Sequence, residues 1–135
     1  MNEKLIKIAT EVAKLMPLNG HKENRARSCG AALLTKSGNI YTGVSIHLTC
    51  GLGFCAEASA IAEMLKAGES EIKTIVAVHY QQGIITPCGR CREMMCQVNT
   101  ANIDTEIIIA KNQTATLREL LPFYCWSPAE CPIEK

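Results

Sequence analysis

At 135 residues, with 47% hydrophobic and only 4% aromatic residues, the chain has the length of one compact domain, residues 1–135, built on an aliphatic core. A formal net charge of +1 gives no general case for a nucleic-acid or membrane partner, and no apolar run reaches the roughly 20 residues needed to span a bilayer. Eight cysteines are the outlier; they lie in apolar, alanine-rich segments, which points to reduced thiols in a cytoplasmic chain rather than a secreted disulfide framework.

In chain order, Leu5, Ile8, Ala9, Val12, Leu15 and Met16 recur at helical spacing, so residues 3–16 read as an amphipathic helix stopped by Pro17, not as a secretory signal. Residues 18–27 are polar and loop-like. Cys29 to Leu34 and Ile40 to Ile46 are apolar runs of strand length around the turn residues Lys36-Ser37-Gly38-Asn39, which predicts a hairpin. After a glycine-containing loop, residues 56–67 are alanine-rich and helical, with Gly68 as a stop. Thr74 to Tyr80 reads as a buried strand, Cys88 to Val98 as a helix starting just after Pro87, Glu106 to Ala110 as a strand, and Thr116 to Leu121 as a short helix closed by Pro122. The tail carries Phe123, Tyr124 and Trp126. This alternation implies a mixed sheet with helices on both faces.

Two segments carry the chemistry. Cys55-Ala56-Glu57 opens one predicted helix, and Pro87-Cys88-Gly89-Arg90-Cys91-Arg92 opens the next. Cysteines at i and i+3 in a first helical turn share a face, so Cys88 and Cys91 can bind one ion with Cys55 as third ligand. Three protein ligands leave one tetrahedral position for water, the mark of a catalytic rather than a structural zinc site. Helix N-termini favour thiolates. Three thiolates on Zn²⁺ leave a net charge near −1, and Arg90 and Arg92 stand where hydrogen bonds to sulfur would offset it. Glu57, two residues from a ligand, is placed to shuttle protons. A Cys₃ site with a non-ligand glutamate is the signature of zinc nucleobase deaminases. The competing readings of the cysteines alone are a redox pair or buried packing residues.

At these motifs the chain resembles the cytidine deaminase family, and within it the blasticidin-S deaminase branch, which shares an arginine at the Arg90 position. The likeness runs from Gly30-Ala31-Ala32-Leu33 through Thr42-Gly43-Val44, Cys55-Ala56-Glu57 and residues 83–92 to Leu117-Arg118-Glu119-Leu120-Leu121-Pro122. It implies a three-layer α/β/α sandwich on a mixed five-stranded sheet, one zinc ion per subunit, and a homotetramer with active sites at subunit contacts. It also implies that the backbones of Ala56 and Thr86 meet the pyrimidine edge. The sugar side departs from the family: Ser45 and His47 replace an asparagine and a glutamate, Arg27 replaces a stacking phenylalanine, and Ala58 replaces an arginine.

Arg27 and His47 would add positive charge toward an anionic group of the substrate, against the plainer reading of a solvated arginine and a satisfied histidine. Phe54 is expected beside the metal, keeping the pocket dry. Tyr124 and Trp126 either pack in a core or interface or help to close the pocket. Cys29, Cys96, Cys125 and Cys131 are read as packing residues. The leading expectation is a hydrolytic deaminase of a small cytosine-containing nucleoside or nucleoside-like compound. Deamination of blasticidin S or another aminated heterocycle is one alternative. A non-catalytic zinc-stabilised binding protein is the other, and a retained Glu57 argues against it.

Overall fold

Apolar alternation along three central strands sets the layers. A computed structural model describes residues 1–123. Its strands are β1 (Met16–Pro17), β2 (Arg25–Thr35), β3 (Ile40–His47), β4 (Ile72–His79), β5 (Gly83–Ile85), β6 (Glu106–Ala110) and β7 (Gln113–Thr116). Its helices are α1 (Asn2–Val12), α2 (Ala56–Lys66), α3 (Gly89–Val98) and α4 (Leu117–Leu120). Successive strand residues face opposite sides of a sheet. Ala31, Leu33, Ile75, Ala77 and Ile107 therefore pack with Ala60, Ile61 and Met64 of α2 and Cys91 and Met95 of α3. Their neighbours Ala32, Leu34, Val76, Val78 and Ile108 pack on the opposite face with Leu5, Ala9 and Ala13. The result is the expected sandwich, with α1 on one face and α2 and α3 on the other.

The five longer strands run in the order β3-β2-β4-β6-β7, antiparallel except for β4 beside β6. Among the described residues the sheet has seven strands rather than five, because β1 pairs with the start of β2 and β5 with the end of β4. These additions are only two and three residues long, too short to show a period of their own.

The N-terminal helix ends at Val12, short of the predicted 16. Met16 precedes a proline, which disfavours helical backbone. Pro17 lacks a ladder donor and is tolerated in an edge strand; the pair becomes β1, with Met16 opposite Ala26. Helix α2 stops where predicted. Gly68 takes φ +87°, and the N–H groups of Gly68 and Glu69 close on the carbonyls of Leu65 and Met64, a Schellman ending. Helix α4 carries a reciprocal cap between Thr116 and Glu119. Among the described residues, no helix is long and apolar enough to cross a membrane.

Candidate active site

The two cysteine segments converge because both helices start at the same end of the sheet. Cys55 is the N-cap of α2 and Cys88 the N-cap of α3, and Cys91 lies in the first turn of α3. Their three sulfurs lie within 4.8 Å of one another, and Cys55 Sγ and Cys88 Sγ are 3.5 Å apart. A tetrahedral zinc with bonds of about 2.3 Å would separate its sulfur ligands by roughly 3.8 Å, so the cluster fits that ion.

The electrostatics of the cluster also call for a cation. Burial pushes the Cys91 thiol far above its ordinary range, and the negative charges of Glu57, Cys55 and Cys88 add to the effect. Burial likewise raises Cys55, helped by Cys88. Cys88 is the exception. Burial pushes it up, but the backbone N–H groups of Cys91 and Arg90 and the neighbouring thiols outweigh this and lower it. Glu57 is 3% exposed. Burial, the largest influence, raises its carboxyl, while its backbone N–H and the Cys91 thiol pull it back. A buried carboxyl that holds a proton more readily than a surface one suits proton transfer.

Beside the cluster lies a cavity of about 430 Å³. Ser45, His47, Phe54, Ala56, Glu57, Thr86 and Arg90 all line it. Phe54, 37% exposed, stands at its rim.

Arg27 does not line it. Its backbone is left-handed, φ +64°, and its Nε donates to the Val12 carbonyl at 3.0 Å, toward the end of α1. Arg92 also has a different task from the one expected. Its Nε donates to the Pro87 carbonyl at 2.8 Å and its Nη1 to the Leu120 carbonyl at 3.1 Å, so it braces the ligand turn rather than bonding to sulfur. Tyr124 and Trp126, with Cys125 and Cys131, lie outside the described residues.

Sequence reasoning missed Ser28 and Cys29, which also face the cavity, together with Ile46, Leu48 and Ile85. Adjacent strand residues ordinarily point to opposite faces. Here the β2–β3 register shifts between Ala26 and Gly30, around the left-handed Arg27, and a bulge of this kind re-aims side chains. Cys29 packs against the core, as expected, and also lines the cavity; burial and the nearby Glu57 raise its thiol. Cys96 is buried in the core as expected.

The family model for the cytidine and deoxycytidylate deaminase zinc-binding region matches residues 1–106. The chain belongs to this deaminase family. It is 31% identical over 130 residues to a blasticidin-S deaminase of Bacillus cereus, covering 87% of each chain. It is 34% identical over 98 residues to a cytidine deaminase of Halalkalibacterium halodurans, covering 69% of this chain and 73% of that one. Among solved structures, the cytidine deaminase of Burkholderia pseudomallei superposes with a TM-score of 0.73 at 26% identity, over 93% of this chain and 99% of that one. The cytidine deaminase of Mycobacterium tuberculosis gives 0.73 at 24% identity, over 90% and 94%, and shares the fold. The deaminase is thus a zinc-dependent enzyme acting hydrolytically on a C–N bond.

Proposed function

We propose that the deaminase converts the ring amino group of a cytosine-containing nucleoside or nucleoside-like compound to a carbonyl, with release of ammonia. Cys55, Cys88 and Cys91 hold zinc in this reading, and Glu57 moves the protons. The carrying observation is the position of Glu57: buried beside three clustered sulfurs, facing the cavity, and not one of them. Zinc, when bound, supplies Lewis-acid activation of a water molecule. Glu57 would take one proton from that water and pass it to a ring nitrogen as the oxygen adds to the amino-bearing carbon. It would then take the remaining hydroxyl proton and deliver it to the amine as the C–N bond breaks, so that the carbonyl forms and ammonia leaves. The backbones of Ala56 and Thr86 meet the base edge, Phe54 shields the rim, and Ser45 and His47 face the part of the substrate beyond the base.

A second substrate, blasticidin S or another aminated heterocycle, is supported by the Bacillus cereus relative and by Arg90 and His47 in the cavity wall. Arg90 keeps its proposed role of offsetting thiolate charge. For Arg92 that role reduces to the charge itself, since two of its donors already serve carbonyls. Exposed Leu52, and Phe54 at the cavity rim, support a homotetramer that covers them. The free state of every described cysteine supports a cytoplasmic setting. A small molecule is the partner in this reading, not a nucleic acid or a membrane.

Ammonia release over cytidine, deoxycytidine, cytidine monophosphate, blasticidin S and simple aminopyrimidines decides the substrate. Glu57→Ala should keep zinc and lose turnover. Zinc-free purified protein, or a Glu57→Ala variant as active as the wild type, would overturn the assignment.

A further inference from the structure

Among the described residues, strand β3 pairs with β2 along one side only. The N–H groups of Thr42, Val44 and Ile46 therefore point away from the sheet, where an edge strand normally meets water or a second chain. All three have partners in one stretch of chain. Thr42 N–H donates to Glu63 Oε2 at 3.0 Å, Val44 N–H to Ser59 Oγ at 3.2 Å, and Ile46 N–H to the Phe54 carbonyl at 3.0 Å. Phe54 N–H returns a bond to the Ile46 carbonyl at 2.9 Å. The stretch from 54 to 63 contains both Cys55 and Glu57.

The match of spacings has a simple origin. Outward donors on a strand recur every second residue, about 6.6 Å apart. Side chains four apart on a helix recur about every 6 Å along its axis. Ser59 and Glu63 are four apart, so one helix face supplies two acceptors in register with two strand donors. Between those donors sits Gly43, where a Cβ would collide with Ala60 N, Ala56 O and Ser59 Cβ. The helix backbone thus lies directly on the strand.

We propose that Ser59 and Glu63 are positioning residues that hook α2 onto the edge of β3 and so fix Cys55 and Glu57 against Cys88 and Cys91. The two halves of the site come from different helices. Helix α2 packs chiefly on β3 and β2 and much less on α3, while α3 is held from below by Arg92 and Asn102. The edge of β3 is then what sets the first half relative to the second. The inference rests on the zinc-deaminase reading of the cluster.

The test uses the zinc-loaded full chain and the variants Ser59→Ala, Glu63→Ala and Glu63→Gln, with Lys66→Ala as a control on the same helix. Three quantities are read: amide exchange at Thr42 and Val44, the rate of zinc release to a chelator, and kcat and KM on the substrate that the ammonia screen identifies. Losing one net hydrogen bond should speed zinc release about 3- to 10-fold. It should lower kcat more than it changes KM. Glu63→Gln keeps an acceptor oxygen and should restore both. Exchange should rise at Thr42 in Glu63→Ala and at Val44 in Ser59→Ala. Glu63 is exposed, so its variants carry the test even if Ser59→Ala does not fold. A lower melting temperature with zinc release and kcat unchanged would reduce the hook to protection of a strand edge and overturn the inference. So would a Glu63→Gln no better than Glu63→Ala. A wild-type chain that binds no zinc would instead sink the reading beneath it.

Discussion

Ser45 Oγ accepts the backbone N–H of Cys29 at 2.9 Å, so a β3 side chain replaces a ladder bond that the bulge in β2 has removed. Ser28 Oγ lies 3.3 Å from the same hydroxyl. Ser45 therefore shapes the cavity by holding two neighbouring residues in place as well as by facing it. Ser45→Ala would leave the Cys29 N–H without its partner, a cost of about 1–2 kcal/mol. The expected outcome is a lower denaturant midpoint together with a changed KM. A midpoint equal to the wild type would mean that water or another group satisfies the amide and that Ser45 does not hold the bulge.

Arg92 reaches two carbonyls from different parts of the chain, Pro87 before the ligand pair and Leu120 at the end of α4. Its planar fork suits this double contact, and a lysine ammonium cannot reproduce it. Outer partners of metal ligands commonly change metal affinity by 10- to 100-fold when removed. Arg92→Ala should therefore raise the zinc dissociation constant by about 10-fold or more, and Arg92→Lys should recover only part of the loss. Competition with a chelator of known affinity measures both. Equal affinities in all three proteins would show that the turn at Pro87 keeps its shape unaided.

Much of this architecture is legible in the sequence, for identifiable reasons. The β2–β3 hairpin, β4 and β6 are long enough to show apolar runs, and the turn at Lys36–Asn39 breaks the pattern between the first two. The sulfur cluster is legible because its ligands occupy fixed offsets at two helix starts, one just after Pro87. What escapes is either short or remote. Strands β1, β5 and β7 span two to four residues. The bulge at Arg27 carries no glycine to announce a left-handed backbone, so the sequence marks neither Ser28 nor Cys29 as a site residue. Adjacency to the cysteines in sequence points Arg92 at sulfur; one of its carbonyl partners lies 28 residues away.

Asn102 is wholly buried and uses both ends of its amide. Its Oδ1 accepts the Ile72 N–H at 2.8 Å, and its Nδ2 donates to the carbonyls of Ser70 and Met95, both at 3.0 Å. One side chain thus ties the end of α3 to the start of β4. Asn102→Ala would leave the Ile72 N–H and the Ser70 carbonyl short of a partner, at about 1–3 kcal/mol each if no water enters, and the Met95 carbonyl with only the 3.4 Å bond from the Asn99 N–H. Asn102→Asp should be as damaging, because a carboxylate cannot donate to the two carbonyls and would be a buried charge. Equilibrium unfolding should show a loss of about 3 kcal/mol or more for either variant. A loss under about 1 kcal/mol would mean that the site rehydrates on truncation.

Glu69, just past the end of α2, gathers hydroxyl and amide donors from the β2–β3 hairpin. Ser37 Oγ, Tyr41 Oη and Asn39 Nδ2 all donate to its carboxylate, the last two at 2.6 and 2.9 Å. These bonds, led by that from Ser37, hold its carboxyl at about 2, against about 4.3 for an unfolded glutamate. A folded pKa below the unfolded one stabilises fully above the unfolded value and is lost as pH falls through the folded value. The opposite holds at the other end of the scale. The bond to Glu69 and the adjacent negative charge raise Tyr41, so its share is present below about pH 10 and disappears as the phenol ionises. The melting temperature of the wild type should therefore exceed that of Glu69→Gln most clearly between about pH 5 and 9. The gap should close below about pH 4 and narrow again in strong alkali. Both groups are at the surface, so added salt should shrink the difference throughout. A gap that persists unchanged down to about pH 2 would show that the carboxylate charge contributes nothing to holding the hairpin against α2.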